Sequence, residues 1–291
     1  MAGVIKDAGD DPDVTHGAEI VVTVATAPPG AGLSFRAGDG VGRVTLPGLP
    51  LAVGEPAINP GPRAQIAEAM ASFGVALDCV VTISVPGGQS LAARTMNGRL
   101  GIIGGLSILG TTGIVRPYSC AAWVHAIHRG IDVARAIGLD HLAGCTGKTS
   151  EAVVARLHNL SPQAMVDMGD FVGAVLKYLR RHPVARLTLG GGPAKLTKLA
   201  AGHMDLHSGK SVADLKLLLA LLESRGAPRG VIETAGRARS VGQLLAAAEG
   251  WPLGPALAEA ARATAIAILP AEIRVDVVVV DRQQGILGRA G

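Results

Sequence analysis

The sequence predicts a chain of mixed class, α/β and α+β: an N-terminal strand-rich α+β domain joined to a Rossmann-like βα domain with a helical C-terminal part and a closing strand. Three observations carry this expectation. A length of 291 residues suits about two domains of roughly 150 residues each. Glycine (40) and proline (17) fall at intervals between periodic segments, as punctuation and not as a low-complexity tract. Near residue 99 the pattern changes from β-branched runs bounded by turn residues to apolar strands alternating with amphipathic helices. The expected domains are 1–118, an α+β domain with acidic and glycine-rich motifs; 119–206, a Rossmann-like domain; and 207–291, a helical segment and final strand packing back on the first domain.

Taken in order, Ile20 to Ala25 is β-branched and ends at Pro28-Pro29-Gly30, and Leu33 to Thr45 carries the glycine-rich turn chemistry of a hairpin. Behind Pro62, the spacing of Ile66, Met70, Phe73 and Leu77 predicts one helix, and Cys79 to Val85 reads as a fully apolar strand. Leu100 to Ile103 opens the alternating part as its first strand. Ser119 is placed to cap a helix with Trp123, Ile127, Ile131 and Ala134 on one face, stopped at Gly138. His141 to Cys145 is a short strand. Ser161-Pro162 starts a long helix through Met165, Met168, Val172, Val175 and Leu179, and Val184 to Leu189 is the next strand. Helices follow at 195–201, at 212–223 behind Ser211, from Ser240 and from Gly254, before the strand Ile273 to Val280.

Composition narrows the function. With 48% hydrophobic and 17% charged residues the chain has the apolar content to fold. Seven aromatic residues (Trp 2, Tyr 2, Phe 3) are too few for a base-stacking groove, so nucleic acid is not an expected partner. The net charge of +4 comes from seven lysines and twenty arginines, a bias that suits bidentate grip on anionic small molecules and that a GC-rich genome also produces. Three cysteines without CxxC spacing indicate neither a disulfide framework nor a zinc ribbon, which points to the cytoplasm. The longest apolar runs fall far short of the ~20 residues of a membrane span, so no membrane association is expected.

Several segments resemble nucleotide motifs only weakly. Gly144 to Thr149 ends like a phosphate-binding loop, but Leu142 stands where that motif needs glycine. Gly190-Gly-Gly-Pro193 is a similar strand-to-helix turn, and His203 and His207 are a metal-type pair without a third ligand. Two segments are denser. Lys6 to Gly17 holds Asp7, Asp10, Asp11, Asp13 and His16, and Arg99 to Pro117 feeds a strand into a loop rich in glycine.

Lys6-Asp-Ala-Gly-Asp-Asp-Pro-Asp-Val-Thr-His-Gly17, Gly54-Glu-Pro-Ala-Ile-Asn-Pro-Gly-Pro-Arg63, Val85-Pro-Gly-Gly88, Asn97-Gly-Arg-Leu-Gly101 and Gly105 to Pro117 together resemble the cobalt-precorrin-5B C(1)-methyltransferases of anaerobic cobalamin biosynthesis. The likeness continues through Thr146 to Glu151, Met168-Gly-Asp-Phe-Val-Gly173, Lys195 to Gly202 and His207-Ser208. It departs in two places. Members of that family usually begin with a further segment carrying a Thr-Gly-Thr-Cys-Ala-Ala-like signature, and the turn before Lys195 lacks the family's histidine.

The resemblance implies that S-adenosylmethionine is the co-substrate, with cobalt present only as part of a tetrapyrrole substrate and no resident metal. Asp7, Asp10, Asp11, Asp13 and His16 are the catalytic candidates, by electrostatics or proton transfer, with ordering of a loop by Asx turns as the structural alternative. Mutual repulsion is expected to raise at least one of these aspartate pKa values. Gly104, Gly105, Ser107, Gly110, Thr111, Thr112 and Gly113 are the candidate cradle for the cofactor, and Arg63, Arg99, Arg116 and His207, with Arg94, the clamps for substrate carboxylates. Self-association into a homo-oligomer is compatible with this reading. The alternatives are a noncatalytic or truncated tetrapyrrole-binding paralogue and a phosphotransferase built on Gly144 to Thr149.

Overall fold

Strand propensity and period dominate the first part of the chain. The computed structural model describes residues 1–74, 77–110, 112–115 and 117–291. It separates into a unit of Met1–Trp123 and a unit of Val124–Gly291. The first unit contains β1 (Ala2–Ile5), β2 (Glu19–Thr26), β3 (Leu33–Ala37), β4 (Arg43–Val44), α1 (Pro60–Ser72), β5 (Cys79–Ser84), α2 (Gly88–Ala92) and β6 (Ile102–Ile103). Its main sheet has the order β1-β2-β5-β3, with β5 antiparallel to β2 and parallel to β3. Cys79, Val81 and Ile83 of β5 are buried while the residues between them are half-buried, the period of two of a sheet covered mainly on one side. Val81 and Ile83 share a core with Val41, Ile58, Val85 and Leu106, against which Ile66 and Met70 of α1 pack.

Three expectations change here. Leu33 to Thr45 forms no hairpin, because β3 pairs with β5 and β4 pairs antiparallel with β6. The same β4–β6 pairing removes Leu100 to Ile103 from any parallel sheet. The helix behind Pro62 stops at Ser72, since Gly74 takes a left-handed conformation (φ 67°) that ends it. Phe73 is therefore 85% exposed and does not extend the apolar face.

The helix α3 (Cys120–Ala136) begins at the end of the first unit and buries Ile127, Ile131 and Ala134 in the second. Then come β7 (His141–Cys145), α4 (Lys148–His158), β8 (Met165–Val166), α5 (Val172–Leu179), β9 (Arg186–Gly191) and α6 (Pro193–Ala200). Four further helices, α7 (Leu215–Ser224), α8 (Arg229–Gly236), α9 (Val241–Ala247) and α10 (Leu253–Ile266), precede β10 (Arg274–Val280) and β11 (Ile286–Ala290). The sheet order is β11-β10-β9-β7-β8, with β10, β9, β7 and β8 parallel and β11 antiparallel. α4 packs on one face through Val153 and Val154, against Ala143, Cys145, Val278 and Val280. The other face carries the large core of Leu142, Val166, Leu187, Leu189, Val275, Val277 and Val279 with the remaining helices.

The long helix expected from Ser161 is instead a 3₁₀ turn (Pro162–Ala164), then β8, then α5. Met165 and Val166 pair with β7, and Gly169 at φ 52° breaks the chain before α5, so tertiary pairing overrides the helical spacing. α7 is capped by Asp214, whose Oδ1 accepts from the Lys216 and Leu217 amides, and not by Ser211, whose hydroxyl donates to the Asp205 carbonyl at 2.8 Å. Residues 207–291, expected to return to the first domain, place Leu218, Leu222, Leu244, Leu257 and Val277 in the same core as 127–206.

Candidate functional site

In the first unit the motifs singled out by sequence converge on one crossing. Gly40 is left-handed (φ 69°), and a Cβ on it would overlap the Val85 carbonyl oxygen. A Cβ on Gly88 or on Gly105 would overlap the Gly40 backbone. Three chain segments therefore pass at a separation that only glycine allows. Asn97, 7% exposed, fixes the crossing: its Nδ2 donates to the Gly105 carbonyl at 3.0 Å and its Oδ1 accepts from the Ser107 hydroxyl at 3.3 Å. Leu106 and Ile108 are laced to either side, with the Leu106 amide on Gly40 O and the Ile108 amide on Ala57 O.

This corrects part of the expected cofactor cradle. Gly105 and Ser107 are committed to the crossing. Gly104, Gly110 and Gly113 have positive φ, and no atom lies within 3.4 Å of the point a Cβ would occupy on any of them. Thr112 is exposed, its hydroxyl sharing hydrogen bonds with Ile114. Thr111 and Arg116 lie outside the described residues. Gly61, in the first turn of α1, approaches the Gly110 carbonyl, so the Gly54–Arg63 motif also abuts this loop.

The acidic loop joins β1 to β2 and is closed by backbone pairing, Lys6 N to Ala18 O (2.9 Å) and Gly17 N to Lys6 O (2.8 Å). Its carboxylates have separate tasks. Asp13 forms an ion pair with Lys6 and accepts from the Thr15 amide and hydroxyl. Burial pushes the Asp13 pKa up, but the bonds from Lys6 and Thr15 outweigh it and hold the carboxyl below its usual value. The expected rise from repulsion is thus reversed at Asp13, because the loop supplies its own cation. Asp7 Oδ1 accepts from Gly9 N at 2.9 Å, an Asx-type turn. Asp11 Oδ1 accepts from Tyr118 N at 3.1 Å, which ties the acidic loop to the end of the Gly105–Pro117 motif. Asp10 is exposed. His16 Nδ1 accepts from Ala8 N at 3.1 Å, so the neutral ring carries its proton on Nε2 and is a donor there.

Among the clamp candidates, Arg63 is already engaged: Nε donates to Ile58 O (2.7 Å), Nη2 to Glu55 (3.0 Å), and the guanidinium lies 5.4 Å from the Phe35 ring centre. It braces the start of α1. Arg94 is exposed and Arg99 half-buried. His207 belongs to the second unit, exposed, with Nδ1 accepting from Gly209 N at 3.1 Å.

In the second unit β7 is followed by α4 on one face, and β9 by α6 on the other. That reversal makes a crevice outside the carboxyl ends of β7 and β9, the position where open α/β sheets take ligands. It is bounded by Thr146, Gly147 and Lys148 on one side and Gly192 and Pro193 on the other. Gly190 and Gly191 are packing glycines, filled against Val154 and Thr146, whereas Gly147 faces open space and a Cβ on Gly192 would meet only the Val280 carbonyl, at 4.0 Å. Beside it Lys195 pairs with Asp170, and the ammoniums of Lys195 and of buried Lys198 both donate to the Leu206 carbonyl, at 3.1 and 2.8 Å. Burial, then the neighbouring Lys195, lowers the Lys198 pKa. In the sequence Met168–Gly173 and Lys195–Gly202 stand out as motifs whose side chains carry no assigned role; the i, i+3 lysine spacing is the available signal.

Comparison with known proteins agrees with these motifs. The CbiD family matches residues 1–117, and the CbiD C-terminal domain matches residues 205–291. A cobalt-precorrin-5B C(1)-methyltransferase of Paramagnetospirillum magneticum is 58% identical over 99% of this chain and 82% of its own length. Those of Bradyrhizobium sp. and Brucella abortus are 55% and 54% identical, covering 78% and 80% of their lengths. A crystal structure of the cobalamin biosynthesis protein CbiD from Archaeoglobus fulgidus is 26% identical, covers 66% of this chain and 60% of that one, and superposes with a TM-score of 0.32, too low for geometry to be carried across. By both sequence measures, this chain belongs to the CbiD family.

Proposed function

We propose that the protein transfers the methyl group of S-adenosylmethionine to carbon 1 of cobalt-precorrin-5B, giving cobalt-precorrin-6A in corrin-ring biosynthesis. The observation that carries this reading is the 58% identity to a named methyltransferase across 99% of the chain. A tetrapyrrole-only binder finds no support in it. When bound, the sulfonium supplies the methyl group and a good leaving group, so the protein's contribution is alignment, worth up to ~7–11 kcal/mol in well-oriented reactions.

The cofactor belongs in the crevice of the second unit, where Gly147 and Gly192 leave room for close approach beside two helix starts. This replaces the Gly104–Gly113 loop as the primary cradle. In the first unit, exposed Asp10 and exposed Arg94 have side chains without a hydrogen bond among the described residues. No membrane is involved in this reading, and among the described residues no helix is long and apolar enough to cross one.

The test is direct. The protein is incubated with cobalt-precorrin-5B and S-adenosylmethionine, with formation of S-adenosylhomocysteine and the mass gain of one methyl group on the corrinoid as readouts. Both should appear together. Corrinoid binding with no S-adenosylhomocysteine formed would overturn the methyltransferase reading in favour of the binder.

A further inference from the structure

The amino ends of the parallel strands in the second unit carry a polar cluster that the methyl-transfer reading does not use. Strand register places His141, Arg186 and Arg274 in one row across β7, β9 and β10. In a parallel sheet such neighbours share a face. Two positions further along, Thr188 and Asp276 lie on that same face, and Arg289 of β11 is opposite Val278. The polar groups are linked: Arg186 Nε pairs with Asp276, Thr188 Oγ1 donates to Asp276 (3.3 Å), and His141 Nε2 bonds Thr188 Oγ1 at 2.8 Å. Asp140, His141, Ala185, Arg186 and Arg274 line a cavity of about 320 Å³.

The electrostatics of this cavity are incomplete as it stands. Two arginines side by side on neighbouring strands repel unless countered. Asp276 is bonded through Nε of Arg186 and so covers one edge of one guanidinium, while the side chain of Arg274 has no hydrogen-bond or ion-pair partner among the described residues. His158, whose ring stands 5.0 Å from that of His141, has a buried Nε2 without a hydrogen bond. Burial first, and then Arg186, push the pKa of His141 down to about 4. The same two causes lower that of His158, with Arg289 adding to them. Both rings are thus neutral in a positive field.

We propose that this cavity is a binding site for an oxyanion, a phosphate or carboxylate group of a small ligand, held by the Arg186 and Arg274 guanidiniums beside the His141 ring. Arginine forks match such groups bidentately. Asp140 at the rim opposes added negative charge, so its carboxylate weakens oxyanion binding. The site lies at the end of the strands opposite to the cofactor crevice, and its occupancy is independent of methyl transfer.

The experiment follows the ring signals of His141 by NMR through a pH titration of the intact protein. Inorganic phosphate and succinate are compared with sodium chloride at equal ionic strength. Bound oxyanion should stabilise the imidazolium and raise the apparent pKa of His141 by about one unit, a tenfold gain in proton affinity. The phosphate and succinate arms report which oxyanion chemistry is preferred. Arg274→Ala, at an exposed strand start, should abolish the effect without unfolding, and Asp140→Asn should enlarge it. A shift of the same size in chloride, or one that survives Arg274→Ala, overturns the proposal.

Discussion

Acid should destabilise the second unit through His141. Its pKa falls from 6.5 to about 4 on folding, burial being the main cause. Between those values the unfolded chain binds the proton that the folded chain refuses, so stability is lost as pH drops from 6.5 towards 4. At pH 5 the difference amounts to about 2 kcal/mol relative to pH 7.5, and water access to the ring reduces it to about 1–2 kcal/mol. A unit of this size loses ~2–4 °C of Tm per kcal/mol, so this residue should contribute a fall of about 2–8 °C. His141→Gln keeps an amide donor for Thr188 Oγ1 and removes the titration. Thermal melts of both proteins at pH 7.5 and pH 5, followed by circular dichroism, isolate the contribution, since His158 and all carboxylates are common to the pair. Equal losses of Tm in the two proteins would refute the reasoning.

Other outcomes follow from the site geometry. Gly147→Val, at an extended and exposed position with open space around it, should leave the melting temperature within ~1–2 °C while weakening S-adenosylhomocysteine binding at least tenfold by isothermal titration. Gly40→Ala should cost more than ~3 kcal/mol in chemical denaturation, because its Cβ would meet backbone in a left-handed position where nothing can yield. Asp13→Asn should lower stability by about 1 kcal/mol at pH 7 with little effect on turnover. Because the Asp13 pKa is depressed, that penalty should shrink as pH falls through the ordinary carboxylate range, as denaturation at pH 7 and pH 3 would show.

Legibility in the sequence follows how local the cause is. β2, β5, β7, β9 and β10 are β-branched or apolar runs whose period survives in the fold, and Ser240 caps α9 through the Gln243 amide as its residue type suggests. β8 reads as helix because two residues, Met165 and Val166, are claimed by pairing with β7, a contact invisible in the spacing of the surrounding apolar residues. β11 and β1 are hidden for the same reason: Gly288 and Gly3 dilute them, and neighbouring strands define them. At the site, the motifs are visible as motifs while their roles are not. A glycine that admits a ligand and a glycine that admits another backbone look alike in sequence, and only the crossing of Gly40, Gly88 and Gly105 separates them. Arg63 likewise reads as a free fork until Glu55 and the Ile58 carbonyl are found on it.

That crossing also dictates an order of events during synthesis. β1 and β2 are complete and able to pair as soon as Thr26 has left the ribosome, but β3 has no partner until β5 follows it out. Gly40 must then wait for Gly88 and finally for Gly105 before its turn is locked. Until translation passes Ser84, the valines of β2 have only β1 beside them, a state open to chaperones, proteases and other nascent chains. The main sheet is thus complete at Ser84, while the Gly40 turn stays open until the stretch between Ser84 and Leu106 has followed.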